Sequence, residues 1–189
     1  MSALTYLVVM SLLALAASLP SDAASFAAPT PRAPRGPAVA AQFLSAINAA
    51  RADAGVPPLS WNATLAQHVK LHVNWFRTSV RCDPNQLGRD PIPLQEGLLW
   101  FWRPQRRSSA ADMVAFWVSE RQWYDRGTDA CAAGHECGSY KLVVMPEWRQ
   151  LGCALVACPS GGAAAACGYR PGPGGEWPEQ GSIGATIFD

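Results

Sequence analysis

Six cysteines, Cys82, Cys131, Cys137, Cys153, Cys158 and Cys167, all lie beyond an apolar leader, and that pairing of features limits the chain more than any other. The leader reads "MSALTYLVVMSLLALAASLPSDAAS", with an apolar run from Leu4 to Ala17 and small residues after it. This is the layout of a secretory signal peptide over residues 1–24, with cleavage expected at Ala23 or Ala24. The run is shorter than the roughly 20 residues a spanning helix needs, and no second one follows, so no membrane span is expected once the signal is removed. An even cysteine count in a chain sent to an oxidising compartment reads as three disulfides. Sequence alone leaves their pairing open.

One pair is suggestive by itself. In "CAAGHECGSYKLVVM", Cys131 and Cys137 stand six positions apart with His135 between them. A structural zinc site takes four ligands, and no cluster of cysteine and histidine follows at finger spacing. A thioredoxin-like motif has two residues between its cysteines, and here there are five. A closed disulfide loop is the expectation, feeding a β-like run, "SYKLVVM".

About 165 residues remain after the leader, which suits one domain and lets roughly 70% of the unfolded surface be buried. The formal net charge is +1. Arg103, Arg106 and Arg107 cluster, but three arginines read as a solvated turn, so no nucleic-acid partner is expected. Residues 25–38 form a proline-rich linker centred on "APTPRAPRGP", extended and unable to pack a core.

From Val39 the pattern turns helical. Phe43, Ile47 and Ala50 recur at helix spacing, with Ala40 and Leu44 alongside, until Gly55 and the Pro57-Pro58 pair. A second helix is expected over Thr64–Arg77, with Leu65, Val69 and Val73 or His72 on one face. A third is expected over Ala111–Asp125, with Met113, Phe116, Trp117 and Glu120 along one side. Beyond Cys131, "SYKLVVM" and "QLGCALVAC" read as strands and "GGAAAACGYR" as a weaker one. Helices first and strands last give an α+β class with an antiparallel sheet. The tail, residues 176–189, is rich in glycine and proline and reads as irregular. Asn62-Ala63-Thr64 is a glycosylation sequon in a secreted chain, although Thr64 would equally serve as a helix cap.

Few residues point to chemistry. His68 and His72 share a helix face, but "HVKLH" lacks the glutamate of zinc proteases, so both read as structural. There is no glycine-rich phosphate loop and no Gly-x-Ser-x-Gly elbow. Glu96, and Glu120 amid the apolar positions of "FWVSERQWY", are the carboxylates of interest. A carboxylate on an apolar face needs a partner or water, and either a cleft or an arginine would supply it.

Taken together, "FLSAINAARADAGVPPLSWNATLA", "FWVSERQWY", "CAAGHECGSY", "RQLGCALVAC" and "CGYRPGP" resemble the CAP superfamily, in particular plant pathogenesis-related proteins of class 1. The similarity covers residues 39–175 as one CAP (SCP) domain. The resemblance implies an α-β-α sandwich, with a small antiparallel sheet between helical layers. It also implies the pairs Cys82–Cys158, Cys131–Cys137 and Cys153–Cys167. The family's cleft presents two histidines and two glutamates able to hold a divalent cation. Glu96 matches the first glutamate, although this chain reads Gln95-Glu96-Gly97-Leu98, and Glu120 matches the second. Ser139 stands where one histidine belongs, and the segment between Cys82 and Glu96 contains no histidine. Imidazole nitrogens suit zinc, and two carboxylates with a hydroxyl do not replace them. No metal, no cofactor and no hydrolase activity are therefore expected.

The family's lipid-binding loop corresponds to Tyr140–Trp148, in which Tyr140, Met145 and Trp148 are the candidate ligand residues. The C-terminal Cys-Asn-Tyr motif of peptide-releasing relatives is here Cys167-Gly168-Tyr169. The resemblance thus implies a secreted defence-type binding protein, extracellular and apoplastic if the source is a plant. Its ligand would be a sterol or another lipid, or its partner an extracellular protein. The alternatives are a weak hydrolase using Glu96 and Glu120 as an acid–base pair, and a divergent paralogue acting through protein contacts alone.

Overall fold

The computed structural model describes residues 37–93, 97–104 and 108–173. The signal peptide, the linker up to residue 36, the tail from residue 176 onward, Glu96, Arg106 and Arg107 lie outside the described residues.

Helix α1, Pro37–Asp53, begins on a proline, whose fixed φ suits the first helical position. It buries Phe43, Ile47 and Ala50, as the spacing predicts, and ends before Gly55 at φ 66°. Asn48 then fastens the following turn by bonding both the N–H and the carbonyl of Leu59, at 2.8 and 3.0 Å. A short strand β1, Ser60–Trp61, leads into helix α2, Ala63–Thr78. The helix cap is Asn62 and not Thr64: its Oδ1 accepts from Leu65 N at 2.9 Å, while its Nδ2 donates to Gln150 Oε1 at 2.8 Å. Leu65, Val69, His72, Val73 and Phe76 form the buried face of α2.

Strand β2, Gly97–Arg103, has no counterpart among the expected elements. Helix α3, Ala110–Ser119, is opened by a capping box between Ser109 and Asp112. It is shorter than expected: a 3-10 turn, Glu120–Trp123, and the short strand β3, Tyr124–Asp125, take its last residues. Strand β4, Ala130–Cys131, pairs antiparallel with β3. The run "SYKLVVM" then departs from expectation altogether. It forms helix α4, Gly138–Val144, and not a strand. Strands β5, Trp148–Ala157, and β6, Ala163–Pro171, complete the chain's described part.

The main sheet has the order β1-β5-β6-β2. Its three long strands are antiparallel, as expected, whereas β1 joins β5 in parallel. Side chains alternate across β2. Leu99 and Phe101 pack with α1, α3 and α4, while Leu98, Trp100 and Trp102 pack with α2. The sheet is therefore held between α2 on one face and the other three helices on the opposite face, an α-β-α sandwich. Small residues set its thickness. Ala163 and Ala165 belong to one core cluster, Ala164 and Ala166 to the other, and all four are buried. Gly152 on β5 lies directly under the first turn of α2.

The three disulfides are Cys82–Cys158, Cys131–Cys137 and Cys153–Cys167, the pairing that the resemblance implies. Cys153 and Cys167 stand opposite each other on β5 and β6. Cys82–Cys158 joins residues 76 apart, where the chain-entropy model gives about 4–5 kcal/mol.

Candidate functional site

Glu120 stands at the C-cap of α3, where the helix tightens into its 3-10 turn, and is buried. Its Oε2 accepts from Ser139 N at 2.8 Å and from Tyr140 N at 3.1 Å. Its Oε1 accepts from Ser139 Oγ at 2.6 Å. The first N–H groups of a helix have no partner within it, so a carboxylate placed there satisfies them and favours the helix electrostatically. This contact is what makes a helix of a β-like sequence. Glu120 fixes the start of α4, and burial of Tyr140, Leu142, Val143 and Val144 holds its length.

Around Glu120 the described residues assemble no ligand set for a divalent metal. Both oxygens of Glu120 are engaged by donors of the chain itself, and Ser139, fully buried, turns its hydroxyl onto the carboxylate. Among the described residues, no group of three or more histidine, cysteine, aspartate or glutamate side chains gathers at one place. Ser139→Ala should remove one bond to a charged acceptor and lower stability by about 1.5 kcal/mol, read as a shifted urea midpoint at unchanged slope.

The other end of α4 is held by a residue that no motif singles out. Arg51, near the end of α1, is fully buried. Its guanidinium donates to the carbonyls of Pro57 at 2.8 Å, Val143 at 2.8 Å, Met145 at 2.9 Å and Trp148 at 3.3 Å. Burial lowers its pKa to about 10, so it remains a cation at neutral pH. The Tyr169 phenol, also buried, is pushed well above its ordinary pKa by desolvation.

Tyr140, Met145 and Trp148 do not form a displayed loop. Tyr140 lies within α4, Met145 is its C-cap and Trp148 opens β5. All three are buried in the core on the α1, α3 and α4 side, where Trp148 packs on Tyr169 with ring centroids 6.1 Å apart. The reason is the turn of α4, which brings successive apolar residues of this stretch inward. His72 is buried too, with Nδ1 2.7 Å from Asp90 Oδ1, and the His68 ring meets it edge-on at 5.1 Å. His135 is far from the role of a ligand: its ring stacks on Trp123, centroids 3.5 Å apart and planes 5° from parallel.

The β3–β4 hairpin packs beside this site. Tyr124 OH donates to Asp129 Oδ1 at 2.8 Å, and Lys141 Nζ on α4 donates to Asp129 Oδ2 at 2.7 Å. The Lys141 contact, with the Tyr124 hydroxyl second, holds the Asp129 carboxyl below its usual range.

Comparison with known proteins agrees with the fold. The model of the cysteine-rich secretory protein family, CAP, matches residues 44–169. Pathogenesis-related protein 1B of Nicotiana tabacum is 36% identical over 131 residues, which are 68% of this chain and 73% of that protein. Pathogenesis-related protein 1A1 of Solanum lycopersicum is 38% identical over 129 residues, 68% of this chain and 69% of that protein. Among solved structures, venom allergen-like protein 4 of Schistosoma mansoni superposes with a TM-score of 0.53 at 21% identity, covering 71% of this chain and 89% of the other. Hookworm platelet inhibitor gives a TM-score of 0.51 at 17% identity, covering 79% and 78% of the two chains. The two structural likenesses speak for the fold alone, and the two plant relatives for the family. With its sandwich, its three bridges and its match across residues 44–169, the chain belongs to the CAP family and is similar to plant pathogenesis-related proteins of class 1.

Proposed function

We propose that this chain is a secreted, disulfide-stapled, defence-type binding protein that works without a metal centre. The observation that carries the reading is the state of Glu120, whose carboxylate accepts three hydrogen bonds from Ser139 and Tyr140. A carboxylate so engaged serves a rigid scaffold. A general acid or base must instead be within reach of a substrate proton. The leader sequence and the three bridges support secretion, and the relatives named as pathogenesis-related support the defence role. No helix among the described residues is long and apolar enough to cross a membrane.

The reading expects an extracellular protein partner before a sterol or other lipid. Capture through Tyr140, Met145 and Trp148 would require the α4–β5 junction to open, because all three are buried. Equilibrium dialysis of the oxidised protein against micromolar zinc is expected to show no stoichiometric uptake, and one ion per chain would overturn the metal-free reading. A parallel titration with a radiolabelled plant sterol decides the ligand class. Saturable uptake would replace the protein partner by an apolar ligand. Absence of uptake would support the protein partner.

A further inference from the structure

The three disulfides differ in what surrounds them. Cys82, Cys158, Cys153 and Cys167 are all buried. Cys137 is fully buried, but its partner Cys131 is exposed, and so is every residue from Cys131 to Glu136. Of the six cysteines, Cys131 alone is exposed. Thiol–disulfide exchange needs access to a sulfur, so the bridges should not be equally reducible.

The open bridge is attached to the site. Cys131 ends β4, and Cys137 is the N-cap residue of α4, two positions before Ser139. Ser139 and Tyr140 supply the three donors that close over Glu120. The bridge thus fixes the entry to the helical turn on which the closed state of Glu120 depends. Its other supports are local: the Trp123–His135 stack, and the contacts of Asp129 with Tyr124 and Lys141. The other two bridges anchor the sheet, one joining β5 to β6 and one tying the chain after α2 to the end of β5.

We propose that Cys131–Cys137 is a redox switch that opens the Glu120 site while leaving the sandwich intact. The reductant is a dithiol, small or borne by a protein. One of its thiolates attacks Cys131 Sγ, the S–S bond breaks, and Cys137 leaves as a thiolate that takes up a proton. The second thiol of the reductant then attacks the mixed disulfide and releases Cys131, which is also protonated. Two electrons and two protons pass to the protein, and the reductant leaves as its own disulfide. With the bridge open, the loop bearing His135 is freed and the first turn of α4 loosens. Ser139 and Tyr140 then release Glu120. This inference stands apart from the proposed function, because it concerns when the site is closed and not what the protein binds.

The test uses the full oxidised chain. Dithiothreitol is titrated in at neutral pH, free thiols are alkylated, and the cysteines are mapped by peptide mass. Cys131 and Cys137 should become labelled together at reductant concentrations at least tenfold below those that open the other two bridges. Opening of all three at one concentration, or of a buried bridge first, would overturn the proposal. Amide exchange at Ser139 and Tyr140 is then compared between the oxidised protein and its partly reduced form. A Cys131→Ser/Cys137→Ser variant serves as a permanently open form. Exchange at these two amides should rise at least tenfold in both open forms while amides of β5 and β6 stay protected. Unchanged protection at Ser139 and Tyr140 would show that the bridge is reducible but is not a switch.

Discussion

Arg51→Met should destabilise the protein by about 4 kcal/mol. The guanidinium serves four carbonyls, those of Pro57, Val143, Met145 and Trp148, and a methionine of similar length serves none. Each bond to a charged donor contributes roughly 1.5–3 kcal/mol, and the sum is reduced because the group need no longer be desolvated. Arg51→Lys keeps the charge but replaces a planar fork by a single ammonium, so it should lose about 2–3 kcal/mol and not recover the wild-type value. Urea unfolding reads both, as a lower midpoint at an unchanged slope. A Met variant within 1 kcal/mol of the parent (roughly the scale of one ordinary hydrogen bond) would show that water replaces the guanidinium and that α4 needs no clasp at its C-terminal end.

Gly152→Ala is the second large effect, expected at about 3 kcal/mol. A Cβ built at Gly152 would stand 2.3 Å from Ala66 N, 2.7 Å from Leu65 C and 2.8 Å from Ala66 Cα. These are backbone atoms of the first turn of α2, so no side-chain rotation relieves the clash. The helix must lift from the sheet, and overpacking of this kind costs about 1–3 kcal/mol, sometimes more. Gly152→Val should be worse. The measurement is again the unfolding midpoint, together with near-ultraviolet circular dichroism, which should weaken as Trp75 and Trp100 lose their packing on the α2 side. A variant as stable as the parent would mean that α2 is free to slide on β5.

The contrast between what the sequence revealed and what it did not follows the range of the interactions. Phe43, Ile47 and Ala50, or Leu65, Val69 and Val73, declare their helices because each periodic face is written within one segment. The Cys131–Cys137 bridge was legible within its own segment, whereas the pairing of the other four cysteines was legible only through the family resemblance, since cysteine spacing does not fix it. Strand β2 went unseen because "GLLWFW" is apolar at every position from Leu98 to Trp102, which is what a strand buried on both faces presents and what a period-of-two reading passes over. Helix α4 was misread because "SYKLVV" has β-forming side chains. Its helical state is imposed from outside, by Glu120 at one end and Arg51 at the other. Ser139 stands where the resemblance places a histidine, but its bond to Glu120 crosses 19 residues and leaves no local trace. Arg51 looked like any solvent-facing arginine in "NAARADAG". Apart from Pro57, its partners lie 92 to 97 residues further on, and no local signal records them.

Asn62 carries a consequence for the order of events during synthesis. In the finished fold its side-chain amide is doubly occupied, with Oδ1 on Leu65 N and Nδ2 on Gln150. The nitrogen that would bear a sugar at this sequon is therefore held by a residue 88 positions downstream. A ribosome adding about 5–20 residues per second delivers Gln150 roughly 4–18 s after Asn62. During that interval the asparagine has no β5 strand to lie against, and afterwards it does. A sugar attached at this sequon would meet the freest amide in that interval, before the chain's own later half arrives to hold it.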